Sequence, residues 1–194
     1  MAHIWEASYP ADIAWSEKLE ARPIQNILDE GVAKWPDKTL CDFMDKTWSF
    51  REINDLVNKA ARGLKDLGVG PGVHVGLFLP NTPHYVVMFF AILRAGGRIV
   101  NYSPLYAPRE IEHQIEDSET DIMVTLDLAA LYPQVAARLD YTRLKKLIVC
   151  SMPEILPFPK SLLFTMFRKK DVAKVATDDR HISFRDLLGN DGVY

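Results

Sequence analysis

Residues 80–118 read PNTPHYVVMFFAILRAGGRIVNYSPLYAPREIEHQIEDS. From Tyr85 to Leu93 every side chain is apolar or aromatic. A helix that is apolar all round belongs inside a protein or a membrane. This run is well short of the ~20 apolar residues that a membrane span needs, so it predicts a buried core helix, with Phe89 or Phe90 facing a sheet. Gly96 and Gly97 stop it, because glycine adopts the left-handed conformation that closes helices. Arg98–Asn101 resumes as strand. The loop from Tyr102 to Pro108 carries two prolines, two tyrosines and a serine, and leads into a helix that buries Ile111 and Ile115.

Outward from this stretch the same alternation continues. Upstream, Val73–Leu79 predicts a strand. The glycines of GVGPGVHVG before it do not make a dinucleotide fingerprint, which follows a strand and opens a helix; here they close a helix and precede a strand. Thr39–Met44 and Thr47–Phe50 read as a hairpin about Asp45-Lys46. Ser49 to Glu52 is a capping-box pattern, and behind it Ile53, Leu56, Val57, Ala60, Ala61, Leu64 and Leu67 share one helical face that Gly68 ends. Pro23 opens an amphipathic helix carrying Ile24, Ile27, Leu28 and Val32, which ends near Trp35-Pro36. Trp5, Tyr9 and Trp15 lie in a segment too short to bury them alone, so they pack on the rest of the chain or on another copy.

Downstream, Asp121–Thr125 and Leu147–Cys150 predict strands, with a helix from Pro133 that turns Val135, Ala136 and Leu139 inward. Asp127 offers a cap ahead of it. Core strands are expected to begin near Val73, Arg98, Asp121 and Lys145. Continuous apolar strands alternating with helices give an α/β fold: a mostly parallel sheet with helices on both faces, plus a small N-terminal hairpin. A single domain is expected over 1–194, with an arm and helix at 1–38, the core at 39–150, an irregular insertion at 151–180 and the start of a next element at 181–194. Three prolines, Pro153, Pro157 and Pro159, break regular structure in the insertion. His181–Leu188 repeats the capped-helix device of Ser49–Glu52.

At 194 residues, with 48% hydrophobic and 25% charged side chains, composition is that of an ordinary globular domain. A net charge of −3 leaves no nucleic-acid footprint. Cys41 and Cys150 sit in strand-like apolar runs and read as free thiols of a reducing compartment. The N-terminus lacks a basic region followed by an apolar run, so no secretory signal is expected and the cytosol is the default.

LRAGGRIVNYSPLYAPREIEHQIEDS resembles the second core motif of adenylate-forming (AMP-binding) enzymes, in the form found in long-chain fatty-acid–CoA ligases. TWSFREI is similar to their first core motif, and MAHIWEASYPADIAW to the opening of bacterial members. The resemblance runs from the first residues to His181–Leu188 and is weakest between Ser151 and Asp179. It implies a parent enzyme that uses ATP and Mg²⁺ to convert a fatty acid into acyl-AMP and pyrophosphate, then transfers the acyl group to CoA. It also implies that the phosphate loop, the adenine contacts and the catalytic lysine belong downstream of Tyr194. The chain is accordingly expected to be the N-terminal part of such an enzyme, with no catalytic residue, no metal site and no bound cofactor of its own. Dimerisation through the N-terminal region is a further implication.

Residue chemistry agrees that nothing complete is present. The five histidines have no metal-ligand spacing, and no G-x-S-x-G elbow or Walker loop occurs. His74 reads as a structural strand histidine and His113 as solvated surface. By resemblance, Ser103, Pro104, Leu105, Tyr106 and Arg109 line the route by which CoA enters. The alternative is that Pro104 and Pro108 merely fix the loop while Arg109 stands in solvent. Leu162, Leu163, Phe164, Met166 and Phe167, followed by Arg168, Lys169 and Lys170, combine apolar bulk with positive charge as segments at a peripheral membrane surface do. A loop packed on its own domain is the competing reading. Two other functions stay open: a ligase for a medium-chain or aryl acid, and a stand-alone flavodoxin-like binding module. The latter would bind a mononucleotide in a crevice at strand C-termini.

Overall fold

The computed structural model describes residues 3–10, 12, 16, 18 and 20–193. The expectation for Trp15 therefore lies outside the described residues. Five parallel strands form the core: β3 (His74–Phe78), β4 (Arg98–Asn101), β5 (Thr120–Leu126), β6 (Lys146–Cys150) and β7 (His181–Ser183). An antiparallel hairpin, β1 (Thr39–Phe43) with β2 (Lys46–Ser49), stands apart from them. The helices are α1 (Asn26–Lys34), α2 (Phe50–Asp66), α3 (Pro83–Ala95), α4 (Pro108–Asp117), α5 (Tyr132–Ala136), α6 (Lys160–Phe167) and α7 (Phe184–Leu187). Strand order across the large sheet is β4-β3-β5-β6-β7. This is the flavodoxin-like order, in which the chain steps outward from β3 to β4 and then crosses to the other side of β3. Because crossovers are right-handed, that reversal puts α3 and α4 on opposite faces. Helices α1, α2, α3 and α7 form one layer; α4 and α5 cover the other face through contacts with β5.

The α/β class and four of the five core strands follow the expectation; β7 does not. Only three residues long, it lies where the sequence pattern shows just the lead-in to a capped helix, yet it pairs in parallel with β6 from Leu147↔His181 to Val149↔Ser183. The hairpin turn also differs. Lys46 pairs with Phe43, so the turn is Met44-Asp45, with φ of 52° and 73°. Two positive φ values are what a two-residue hairpin needs to match strand twist.

Local signals place the helices well. Ser49 Oγ accepts the Glu52 amide at 3.2 Å, and Glu52 accepts the Ser49 amide at 2.7 Å. Behind that box Ile53, Val57, Ala60, Ala61 and Leu64 are fully buried. Helix α3 ends on Gly96 at φ 88°. Its buried face is Val87, Met88, Ala91 and Ile92, whereas Tyr85, Val86, Phe89 and Phe90 are half-buried. The expectation that Phe89 or Phe90 carries the burial is thus corrected: along the flank of the helix Phe89 stacks on Tyr85 and meets Phe90 edge-on. Arg94 on α3 ties three helices, donating to Asn54 and Asn58 on α2 and pairing with Asp29 on α1. Helix α1 begins at Asn26 rather than at Pro23; it buries Leu28 and leaves Ile27 exposed, as is Ile24 ahead of it, contrary to the apolar face expected for them. Cys41 is half-buried and Cys150 buried, both as free thiols. No helix among the described residues is long and apolar enough to cross a membrane.

Candidate functional site

In an open parallel sheet, ligands bind beyond the strand C-termini, at the point where strand order reverses. Here that point lies between β3 and β5. The turn after β3 is Pro80-Asn81-Thr82-Pro83, with no glycine to bring backbone amides against a phosphate. Strand β1 of the hairpin closes over it, leaving a cleft of about 340 Å³ lined by residues including Leu40, Asp42, Asn81, Thr82 and Tyr85. Three buried polar atoms near this end of the sheet have no hydrogen-bond partner: Thr82 Oγ1, His84 Nδ1 and Thr125 Oγ1. Burial, with the charge of Lys46 nearby, pushes the His84 imidazole down to about 4, so it is neutral at physiological pH.

A larger groove of about 820 Å³ opens beyond β5 and β6. Leu128–Ala130 after β5, Met152 and Leu156 after β6, Met44 at the hairpin tip, and Leu163, Phe164 and Phe167 of α6 form its apolar lining. Lys160, Arg168 and Asp171 supply charge at its rim. Backbone hydrogen bonds fix the walls. Ala129 donates to the Asp171 carbonyl at 2.8 Å and Ala173 to the Asp127 carbonyl at 2.7 Å. Lys160 Nζ pairs with Asp45 and donates to the Met44 carbonyl, pinning α6 to the hairpin. Asp127 is the hub of this end of the sheet. Its carboxylate accepts the Met152 amide and the Ser151 hydroxyl, each at 2.8 Å. It therefore caps the 3-10 turn Met152–Ile155 rather than the helix that follows it in sequence.

Cys150 closes β6 beside Asp127. Burial and then the carboxylates of Asp127 and Glu154 hold its thiol well above the usual range, so it stays protonated and is no nucleophile. Across the neighbouring strand, Tyr132 Oη lies 3.0 Å from His181 Nε2, and His181 Nδ1 lies 2.6 Å from Asp178. The same hydroxyl accepts the Ala176 amide at 3.0 Å. The Asp178 carboxylate can only accept, so His181 Nδ1 carries a proton and donates to it. The array fastens the 172–180 segment onto β7. No sequence signal pointed to it, because Tyr132 and His181 are 49 residues apart.

The residues proposed from sequence fall in two places. Ser103–Arg109 follows β4, at the same end of the sheet as the groove but about 14 Å from β6 at ordinary strand spacing. This loop is closed on itself: Tyr106 donates to the Ser103 carbonyl at 3.1 Å and Leu105 to Ser103 Oγ at 3.2 Å. Pro104 and Tyr106 are half-buried, Leu105 is 92% exposed, and Arg109 stands in solvent in the first turn of α4. The segment Leu162–Lys170 is split by α6. Leu163, Phe164, Phe167 and Arg168 turn to the groove, and Leu162 and Met166 turn outward. His74 Nδ1 meets the Ser118 carbonyl at 2.6 Å and His113 is exposed, as expected of both.

Mg²⁺ with ATP does not fit the side chains present. No group of three or more His, Cys, Asp or Glu among the described residues is arranged to hold a metal. Strands β3, β5 and β6 are followed by Leu79-Pro80, Asp127-Leu128 and Ser151-Met152 rather than by glycine-rich turns.

Comparison with known proteins bears on the same residues. The family described as AMP-binding enzyme matches residues 28–183. A long-chain-fatty-acid–CoA ligase of Bacillus subtilis (strain 168) is 34% identical over 168 residues, 87% of this chain and 30% of the relative. The ligase of the same name from Escherichia coli O157:H7 is 32% identical over 196 residues, 98% of this chain and 34% of the relative. The chain thus spans about a third of the length of the curated relatives it matches. Among solved structures, a long-chain-fatty-acid–CoA ligase from Archaeoglobus fulgidus superposes with a TM-score of 0.58 at 27% identity, covering 66% of this chain and 27% of that one. Coronafacic acid ligase from Pectobacterium brasiliense shares the fold, with a TM-score of 0.68 at 14% identity over 88% of this chain and 30% of that one. By its motifs, its strand order and the match over residues 28–183, this chain belongs to the AMP-binding enzyme family.

Proposed function

We propose that this α/β unit serves the ATP-dependent joining of a long-chain fatty acid to CoA, through an acyl-AMP intermediate. The observation that carries the reading is the 34% identity, over 87% of the chain, to a ligase named for that acid. The groove beyond β5 and β6 supports it: its lining of Leu, Met and Phe suits a hydrocarbon chain better than a sugar or a nucleotide. In the same reading the Ser103–Arg109 loop contacts CoA, with Arg109 supplying a cation for a phosphate. ATP and Mg²⁺ would bind to parts of the enzyme other than these residues, which hold the acid side of the reaction and frame the sheet.

The test is a chimaera in which residues 1–194 replace the matching third of the Bacillus subtilis ligase. Pyrophosphate release from ATP is followed with palmitate, octanoate and benzoate, with and without CoA. Palmitate is expected to be the best acid, and Arg109→Ala to raise KM for CoA. A folded chimaera that turns over benzoate or octanoate but not palmitate would sink the long-chain reading. The 194-residue chain assayed alone is expected to release no pyrophosphate, since binding without transition-state contacts gives no rate.

A further inference from the structure

We propose that a cavity between the hairpin, α2, α3 and α7 binds a small uncharged phenol. The proposal goes beyond the ligase reading and requires none of its substrates. The cavity measures about 270 Å³. An apolar cavity of about 150 Å³ takes up benzene, so this one admits a single ring with a short substituent. Buried residues His84 and Val87 of α3 and Phe184 of α7 form its floor, and the half-buried Trp48, Leu56 and Leu188 its sides. Three of these six are aromatic, and ring packed against ring gains more than buried area alone gives. The cavity is separate from the groove beyond β5 and β6, with which it shares no lining residue.

His84 fixes where the polar group of the ligand goes. This residue is 3% exposed, and its Nδ1 has no hydrogen-bond partner. Buried polar groups are almost always paired, so an unpaired one in a cavity wall points to a missing partner. Turning the imidazole about Cβ–Cγ presents a ring nitrogen to a guest seated on the floor. The ring is neutral at physiological pH, so one nitrogen donates and the other accepts. A hydroxyl can do either and serves both tautomers, whereas a ketone or an ether can only accept. Charge excludes ions. Both cations beside the cavity are engaged by one residue: Lys46 Nζ donates to the Glu154 carbonyl at 2.7 Å, and Arg185 pairs with the Glu154 carboxylate at 2.8 Å. An anion would therefore find no free cation there, and a cation no free carboxylate. The same two contacts fasten the Met152–Ile155 turn to the hairpin and to α7, so the walls stand in place before a ligand arrives.

The experiment is a titration of the full chain with 4-methylphenol, followed in nitrogen-resolved NMR spectra of its histidine rings. His84 is identified by its resistance to protonation as pH is lowered. Its signals are expected to move and to saturate. Toluene, which lacks the hydroxyl, is expected to bind about tenfold more weakly, the contribution of one hydrogen bond. 4-Methylbenzoate, a ring of similar size bearing a charge, is expected not to compete. Leu188→Trp, which fills the cavity from its half-buried side and leaves His84 in place, is expected to abolish the response. His84 signals that stay still at about 5 mM 4-methylphenol overturn the proposal, whatever the variant does. So does toluene binding as tightly as the phenol, competition by 4-methylbenzoate, or binding undiminished in a folded Leu188→Trp.

Discussion

Replacing Gly63 with alanine sets helix propensity against packing, and magnitudes decide which wins. In an exposed helix interior the change gains about 1 kcal/mol. At Gly63, within α2, an added Cβ would point directly onto the carbonyl oxygen of Leu187 and lie 2.9 Å from its Cδ1. The side chain can rotate, but the carbonyl cannot withdraw, because it belongs to the last turn of α7 and accepts Asn190 Nδ2 at 2.9 Å. Overpacking costs about 1–3 kcal/mol, and a fixed backbone atom puts this site at the upper end. The net effect is a loss of about 2 kcal/mol, or roughly 4–8 °C in melting temperature for a chain of this size. Helix α7 buries Phe184, packed edge-on against His84 at 4.9 Å, together with Leu187. Thermal denaturation reads the magnitude, and hydrogen exchange over residues 184–190 reads the location. A variant that melts at or above the wild-type temperature would refute the close seating of α7 on α2.

Within α3, Ile92→Ala is expected to cost about 3 kcal/mol and Phe89→Ala less than about 2 kcal/mol in urea denaturation, because only the first side chain is fully buried; the reverse order would overturn the assigned face. His84 predicts a pH dependence. Its folded pKa of about 4 lies below the ordinary 6.5, so its stabilising contribution is complete above pH 6.5 and is lost as pH falls toward 4. Between pH 6.5 and pH 5 wild type is expected to lose about 2 kcal/mol more than His84→Leu, and parallel pH profiles of the two would contradict this. We also propose that Trp5 and Tyr9, 47% and 42% exposed, contribute to self-association through the N-terminal region. Sedimentation showing only monomer at about 10 μM, or a dimer indifferent to Trp5→Ser/Tyr9→Ser, would exclude it.

Signals that act within one turn of chain were legible in the sequence. Gly96 ends α3, Ser49 and Glu52 open α2, and the apolar run of β5 is buried throughout, because each depends on neighbours a few residues away. What escaped depends on distance or on length. Strand β7 is three residues long, too short for any period to show, and exists because β6 offers it an edge. Phe89 and Phe90 are as apolar as Met88 and Ile92, and only the packing of α3 on α2 decides which pair is sealed. Asp127 was recognised as a cap, but its target lies 25 residues on rather than in the adjacent helix. For the site, α6 was visible as apolar bulk with a basic end. That one side would line a groove with Leu128 and Met152 could not be read from a helix alone.

Strand order and hairpin together explain where the open apolar surface lies. The order β4-β3-β5-β6-β7 by itself would direct a ligand to the crevice between β3 and β5, as in a free-standing nucleotide-binding module. In this chain β1 partly roofs that crevice, and the turn beneath it carries prolines where such a module carries glycine. The hairpin reaches further, setting Met44 at the rim of the groove beyond β5 and β6 and holding α6 through Lys160. One element therefore obstructs the position where a mononucleotide would sit and completes the wall of the apolar groove next to it, beyond β5 and β6. The stand-alone flavodoxin-like reading loses its binding site by that arrangement, while a hydrocarbon-binding role gains one. Loosening the Lys160 anchor is correspondingly a way to alter the groove without touching the sheet, because the ion pair to Asp45 is exposed and contributes little to global stability.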